Sequence, residues 1–122
     1  MKHKIVIADD HALVAQAISG LIQRMEDYEV LYEVENGLEL IEKFKQKQIP
    51  DIVLLDINMP EMDGLTLISK LHEASPLIKA VIISAYGDME NIRTAMNRGA
   101  FDFITKPVNF EDLELTMEKT IK

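Results

Sequence analysis

The sequence predicts a three-layer α/β sandwich built on a five-stranded parallel sheet. Five short apolar runs alternate with five helical patterns along its 122 residues. Strand and helix alternating in this way close through right-handed crossovers, with helices on both faces of the sheet. Three of the runs are almost continuously aliphatic, as strands covered on both faces must be. Acidic and other polar residues gather at the ends of these runs, where a parallel sheet presents all its strand termini on one edge.

The first run is Ile5–Ala8, and Val14, Ile18, Leu21, Ile22 and Met25 follow it at helical spacing. The second, Val30–Val34, has Glu29 before it and Tyr32 and Glu33 within it, so it reads as an edge strand. Leu38, Leu40, Ile41 and Phe44 make the next helical stripe, and Ile52–Leu55 the third strand. Leu65, Ile68 and Leu71 lead to the fourth strand, Ala80–Ile83. Met89, Ile92 and Met96 mark the fourth helix, with Asp88 as its N-cap and Gly99 at its C-terminal end. The fifth strand is Phe101–Ile104. Asn109 then caps a helix whose stripe is Phe110, Leu113, Met117 and Ile121. Asp63–Gly64 reads as a turn and helix entry. The seven methionines mostly follow core spacing, which suggests packing, not metal ligation.

Residues 1–122 are expected to form one domain, burying roughly two thirds of the unfolded surface. No apolar run approaches the ~20 residues of a membrane span. The start, MKHKIVIADD, lacks the apolar stretch and cleavage site of a signal peptide. There is no cysteine, hence no disulfide or thiolate chemistry, and the expected location is cytoplasmic. A net charge of −8 argues against gripping nucleic acid and favours cationic partners or metal ions. The chain stops after the fifth helical pattern, so no effector domain is expected within it.

At the strand ends stand Asp9 and Asp10, Asp56, Ser84 and Lys106, the last followed by Pro107. Two carboxylates ~4 Å apart repel by about 4 kcal/mol at an effective dielectric of ~20. One lysine cannot offset three acids, so a divalent cation is implied. Oxygen ligands point to Mg²⁺ or Mn²⁺ ahead of Ca²⁺. The cation would draw a phosphate, Asp56 would be the nucleophile that forms an acyl phosphate, and Ser84 and Lys106 would meet the phosphoryl oxygens. Taken singly, each has a plainer reading. Asp56 could be a polar strand terminus, Ser84 a turn residue, Lys106 a solvated lysine, and Asp9 or Asp10 a helix cap. His3, His11 and His72 are expected to be solvated and are assigned no role.

The motifs IADD (7–10), LLDINMPEMDG (54–64), IISA (82–85) and ITKP (104–107) together resemble the receiver domains of two-component response regulators, over essentially the whole chain. The resemblance implies a flavodoxin-like strand order 2-1-3-4-5 and a phosphorylation-activated switch that is not an enzyme. Asp56 would accept a phosphoryl group from a histidine kinase or histidine phosphotransfer protein. Asp10, Asp56 and the backbone carbonyl of Asn58 would hold Mg²⁺, with Asp9 acting through water. Ser84 and Phe103 would be the switch pair, and Lys106 the phosphate-binding lysine. The resemblance also makes Lys106–Pro107 a cis peptide and the fourth helix, fifth strand and fifth helix the output surface. On that surface Leu115, opposite the apolar stripe and near Met96 and Arg93, is expected to mark a partner or phosphorylation-dependent homodimer site.

Two other functions are weighed. A haloacid-dehalogenase-type phosphatase also places an Asp after an apolar strand, but it needs an acid two residues on, where this chain has Asn58. A flavin mononucleotide binder needs a hydroxyl-rich cradle after the first strand, where two acids stand instead. The kinase, the signal and the output are not encoded in any motif of the chain.

Overall fold

The computed structural model describes residues 2–46, 48–57, 64–85 and 87–121, with residues 64 and 65 described by backbone alone. Its elements alternate throughout: β1 (His3–Ala8), α1 (Ala12–Gln23), β2 (Tyr28–Val34), α2 (Gly37–Lys45), β3 (Ile52–Asp56), α3 (Gly64–Ala74), β4 (Lys79–Ser84), α4 (Met89–Asn97), β5 (Asp102–Thr105) and α5 (Phe110–Ile121). The sheet is parallel in every pairing, with strand order β2-β1-β3-β4-β5. This is the flavodoxin-like order.

The aliphatic strands serve two cores, because successive side chains point to opposite faces. Val6, Ala8, Val53, Leu55, Ala80 and Ile82 pack with Leu40, Phe44, Leu67, Ile68 and Leu71 beneath α2, α3 and α4. Ile5, Ile7, Ile52, Leu54, Val81 and Ile83 pack with Ile18, Ile22, Leu113 and Met117 beneath α1 and α5. The edge strand β2 alternates instead, burying Tyr28 and Val34 and exposing Glu29, Leu31 and Glu33.

Some apolar residues fall outside these cores. Leu38 is 52% exposed, Met89 60% and Met96 37%, so none of the three is the core residue its spacing suggests. The reason is visible in α4, which packs through Ile92 and Ala95. At 100° per residue, Met89 and Met96 sit roughly 70–90° from the axis between those two. Of the methionines among the described residues, Met25 and Met117 are buried and Met89 and Met96 exposed, so core spacing holds for two of these four. Phe101 precedes β5 instead of opening it, and is partly exposed.

The helix ends are satisfied by specific groups. Asn36 accepts from Glu39 N–H at α2, and Asn109 from Asp112 N–H at α5, both at 2.8 Å. Asp88 stands at the N-cap of α4 but makes no such bond, its carboxylate accepting from Asn91 Nδ2 instead. The Lys79 ammonium donates to the Thr120 carbonyl at 2.8 Å, capping α5, and lies 4.7 Å over the Phe101 ring.

After α4, Gly99 adopts φ 110° and its carbonyl accepts from His72 Nε2 at 2.9 Å, joining α3 to the α4–β5 turn. His72 is therefore a structural donor, not the uninvolved side chain expected. A Cβ on Gly99 would lie 2.6 Å from that nitrogen. Gly99→Ala should destabilise the domain by about 1–3 kcal/mol through backbone strain and loss of this bond. Because the clash is shared, Gly99→Ala with His72→Ala should cost less than the two single changes summed, measured by urea unfolding.

Candidate functional site

The chain moves outward from β1 to β2, then crosses to the other side of β1 to form β3. The sheet therefore reverses direction between β1 and β3, and ligands bind such crevices at the carboxyl edge. Ala8 pairs with Leu55 in register, so Asp9 and Asp56, the next residue of each strand, leave the sheet side by side. Asp56 is the last residue of β3 and Ser84 the last of β4, while Lys106 directly follows β5. The strand ends thus bring Asp9, Asp10, Asp56, Ser84 and Lys106 to one edge.

Burial separates the two neighbouring acids. Asp9 is 1% exposed, Asp56 3% and Ser84 1%, whereas the Asp10 side chain keeps 30% of its surface. Lys106 Nζ lies 3.5 Å from Asp56 Oδ2 and 3.8 Å from Asp9 Oδ2, bridging the two buried acids. The Lys106–Pro107 peptide is cis, as expected. Asp9 Oδ1 accepts the His11 N–H at 2.8 Å. His11 is the N-cap residue of α1 and its own side chain makes no capping bond, so Asp9 helps at this helix start through the His11 N–H alone.

Burial raises the Asp9 pKa above its ordinary value, and the Asp56 charge raises it further. The His11 N–H and the Lys106 ammonium pull it back only in part. Among the described residues, Asp9 Oδ2 and Ser84 Oγ are buried with no hydrogen-bond partner. Orphans of this kind are rare in packed interiors and here face the same edge.

His11, set aside on sequence grounds, belongs to the cluster. Its Nδ1 lies 3.2 Å from Asp10 Oδ1 and 3.4 Å from Asp9 Oδ1. The only signal in the sequence was adjacency to the acid pair, because a capping residue has no helical periodicity to reveal its direction. Ligand atoms of Asp9, Asp10, His11 and Asp56 all lie within 4.8 Å of one another. Oxygen-rich, short of positive charge, and with a buried carboxylate oxygen left over, the set fits a divalent cation. Asn58 and Asp63 lie outside the described residues. Phe103 is half-buried, packs on the core beneath α2–α4, and lines a groove with Asp112, Leu115 and Lys119. Among the described residues no helix is long and apolar enough to cross a membrane.

A flavodoxin-like α/β domain with a buried acidic cluster and a lysine at its switch point defines a class of phosphate-handling proteins. The family described as "Response regulator receiver domain" matches residues 5–118, and the chain belongs to it. It is 38% identical over 119 residues to the chemotaxis protein CheY of Listeria monocytogenes, covering 98% of each chain. To CheY of Bacillus subtilis it is 35% identical over 121 residues, covering 99% of each. The receiver domain of AraT, a response regulator from Geobacillus stearothermophilus, superposes with TM-score 0.87 at 30% identity, over 98% of this chain and 93% of that one. The chain is a receiver domain of two-component signalling, a phosphorylation-dependent switch.

The Asp9 environment has a measurable consequence. A carboxyl whose folded pKa is raised above its unfolded value makes the fold less stable as pH climbs from near 3.8 through the raised value. Asp9→Asn should therefore raise the melting midpoint of the cation-free domain at pH 7. Mg²⁺ at ~100 times its dissociation constant should stabilise the wild-type domain by about 2.7 kcal/mol. Asp10→Asn should reduce that response most among the β1 acids, and a midpoint indifferent to millimolar Mg²⁺ would remove the cation assignment.

Proposed function

We propose that Asp56 is the phosphoacceptor and that the acceptor reaction needs Mg²⁺. The observation that carries this reading is the pairing of the buried Asp56 carboxylate with Lys106 beside an unsatisfied Ser84 hydroxyl. An Asp56 oxygen attacks the phosphorus of a phosphohistidine on a histidine kinase or phosphotransfer protein. The P–N bond breaks, its electron pair stays on the imidazole nitrogen, and an acyl phosphate forms. The Lys106 ammonium pairs with one phosphoryl oxygen, and Ser84 Oγ, which has no competing partner, donates to another. Asp10 and Asp56, with Asp9 beside them and the Asn58 carbonyl as expected from the family, would hold a Mg²⁺ ion. When bound, that ion supplies positive charge against the phosphoryl oxygens.

The donor must bring its histidine to this edge. Beside Lys106 runs an apolar groove lined by Leu13, Val14, Ala17, Leu21, Pro107 and Val108, with Leu13 81% exposed. Its continuity with the acceptor edge supports it as the landing surface of the phosphodonor. The haloacid-dehalogenase alternative has no comparable support, since Asn58 offers no acid two residues after Asp56.

The output is read on α4, β5 and α5. Ser84 moving toward the phosphoryl group frees space for Phe103, which lies on the strand paired with it. This shifts a two-state equilibrium of the surface around the Phe103 and Leu115 groove. Leu115 is 64% exposed there, and Met96 is exposed on α4. We assign this surface to a downstream partner or to a phosphorylation-dependent homodimer.

A small acyl-phosphate donor with Mg²⁺ should add one phosphoryl group by intact mass, and Asp56→Asn should abolish it with the fold unchanged. Undiminished labelling of that variant would overturn the assignment. Lys106→Ala should still bind Mg²⁺ but uncouple phosphorylation from the output surface. Leu115→Glu should leave labelling of Asp56 normal while lowering partner binding or phosphorylation-induced dimerisation in sedimentation experiments. Both surviving unchanged would place the interface elsewhere.

A further inference from the structure

His11 stands at the N-cap of α1 with extended backbone, φ −97° and ψ 100°, and a side chain 65% exposed. It contributes nothing to either core. What it does is bring an imidazole nitrogen to two carboxylates, at 3.2 and 3.4 Å. Ligands about 2.1 Å from a cation stand about 3.0 Å apart at adjacent octahedral corners and about 3.4 Å apart at tetrahedral ones. The His11–Asp10 and His11–Asp9 separations fall within the span of such edges, as they also do within that of an imidazole paired with carboxylates. Independently, Asp9 Oδ2 is buried at this edge with no hydrogen-bond partner among the described residues, the Lys106 ammonium lying 3.8 Å away.

We propose that His11 is a ligand of the cation site, making it a site for borderline first-row transition ions such as Zn²⁺ and Co²⁺ as well as Mg²⁺. This rests on the reading of the acidic edge as a cation site and adds to it a nitrogen donor that Mg²⁺ does not seek. Mg²⁺ prefers oxygen and keeps its waters, whereas imidazole raises affinity along the transition series. The same edge then distinguishes two kinds of cation by whether His11 is engaged. The other two histidines do not compete for this position. His72 Nε2 is committed to the Gly99 carbonyl, and His3 begins β1 at the opposite edge of the sheet.

The test uses the full chain, stripped of metal by chelation, with Co²⁺, Zn²⁺ and Mg²⁺ each titrated alone. Because the His11 side chain is outside the cores, His11→Ala should fold as the wild type does. It should lose roughly tenfold or more in Co²⁺ and Zn²⁺ affinity, with a change in the Co²⁺ visible spectrum. Its Mg²⁺ affinity, by contrast, should stay within about twofold of the wild type. In nitrogen-15 spectra, Zn²⁺ should shift the His11 ring resonances and leave those of His3 and His72 in place. Unchanged Co²⁺ affinity in His11→Ala, with or without a gain in Mg²⁺ affinity, would show the ring to be only a counter-ion of the carboxylates and overturn the proposal. Wild-type protein that binds neither Mg²⁺ nor Co²⁺ would overturn the cation site itself, a separate failure.

Discussion

The structure depends on two carboxylates forced together at the end of adjacent central strands. Asp9 and Asp56 follow the paired residues Ala8 and Leu55, so the β1–β3 register alone dictates their proximity. Both are nearly inaccessible to water, and a single ammonium, from Lys106, reaches both. Removing that ammonium would leave two buried carboxylates facing each other without compensation. The surrounding architecture holds this arrangement in place. Two covered sheet faces fix the strands, and the order reversal between β1 and β3 opens the crevice.

With both sheet faces covered by apolar packing, the polar groups described above collect at the carboxyl edge. Ser84 arrives there because β4 lies beside β3 with Ile83 opposite Asp56, and Lys106 because its own N–H donates to the Ser84 carbonyl at 2.8 Å. The polar groups are therefore spaced by backbone pairing, not by side-chain reach. An edge built in this way tolerates changes in the loops more readily than changes in strand register.

Much of this was legible in the sequence because the central strands carry aliphatic residues on both faces, and β2, at the edge of the sheet, alternates between buried and exposed positions. The site was legible because a parallel sheet converts distant sequence positions into one edge. The α4 stripe was not legible. Apolar spacing at Met89, Ile92 and Met96 records which residues are apolar, but the small Ala95 sets which side packs, and periodicity gives alanine little weight. Nor could the unequal burial of Asp9 and Asp10 be read, since strand alternation stops where the strand does. His11 was missed for the same reason: its direction is set by a single non-helical residue.

Lys79 ties three parts of the fold at the far edge of the sheet from the acids. It starts β4, caps the last turn of α5 through Thr120, and covers Phe101 in the turn before β5. One residue earlier in the helix, Lys119 is bound to Asp102 at 2.8 Å. The C-terminal end of α5 is thus anchored twice, while its N-terminal end follows the residues next to Lys106. At its first turn α5 is held differently, by the Arg24 guanidinium of the α1 end 4.4 Å over the Phe110 ring and by Leu113 in the core. Its two ends therefore answer to different neighbours: β4 and β5 at one, α1 at the other.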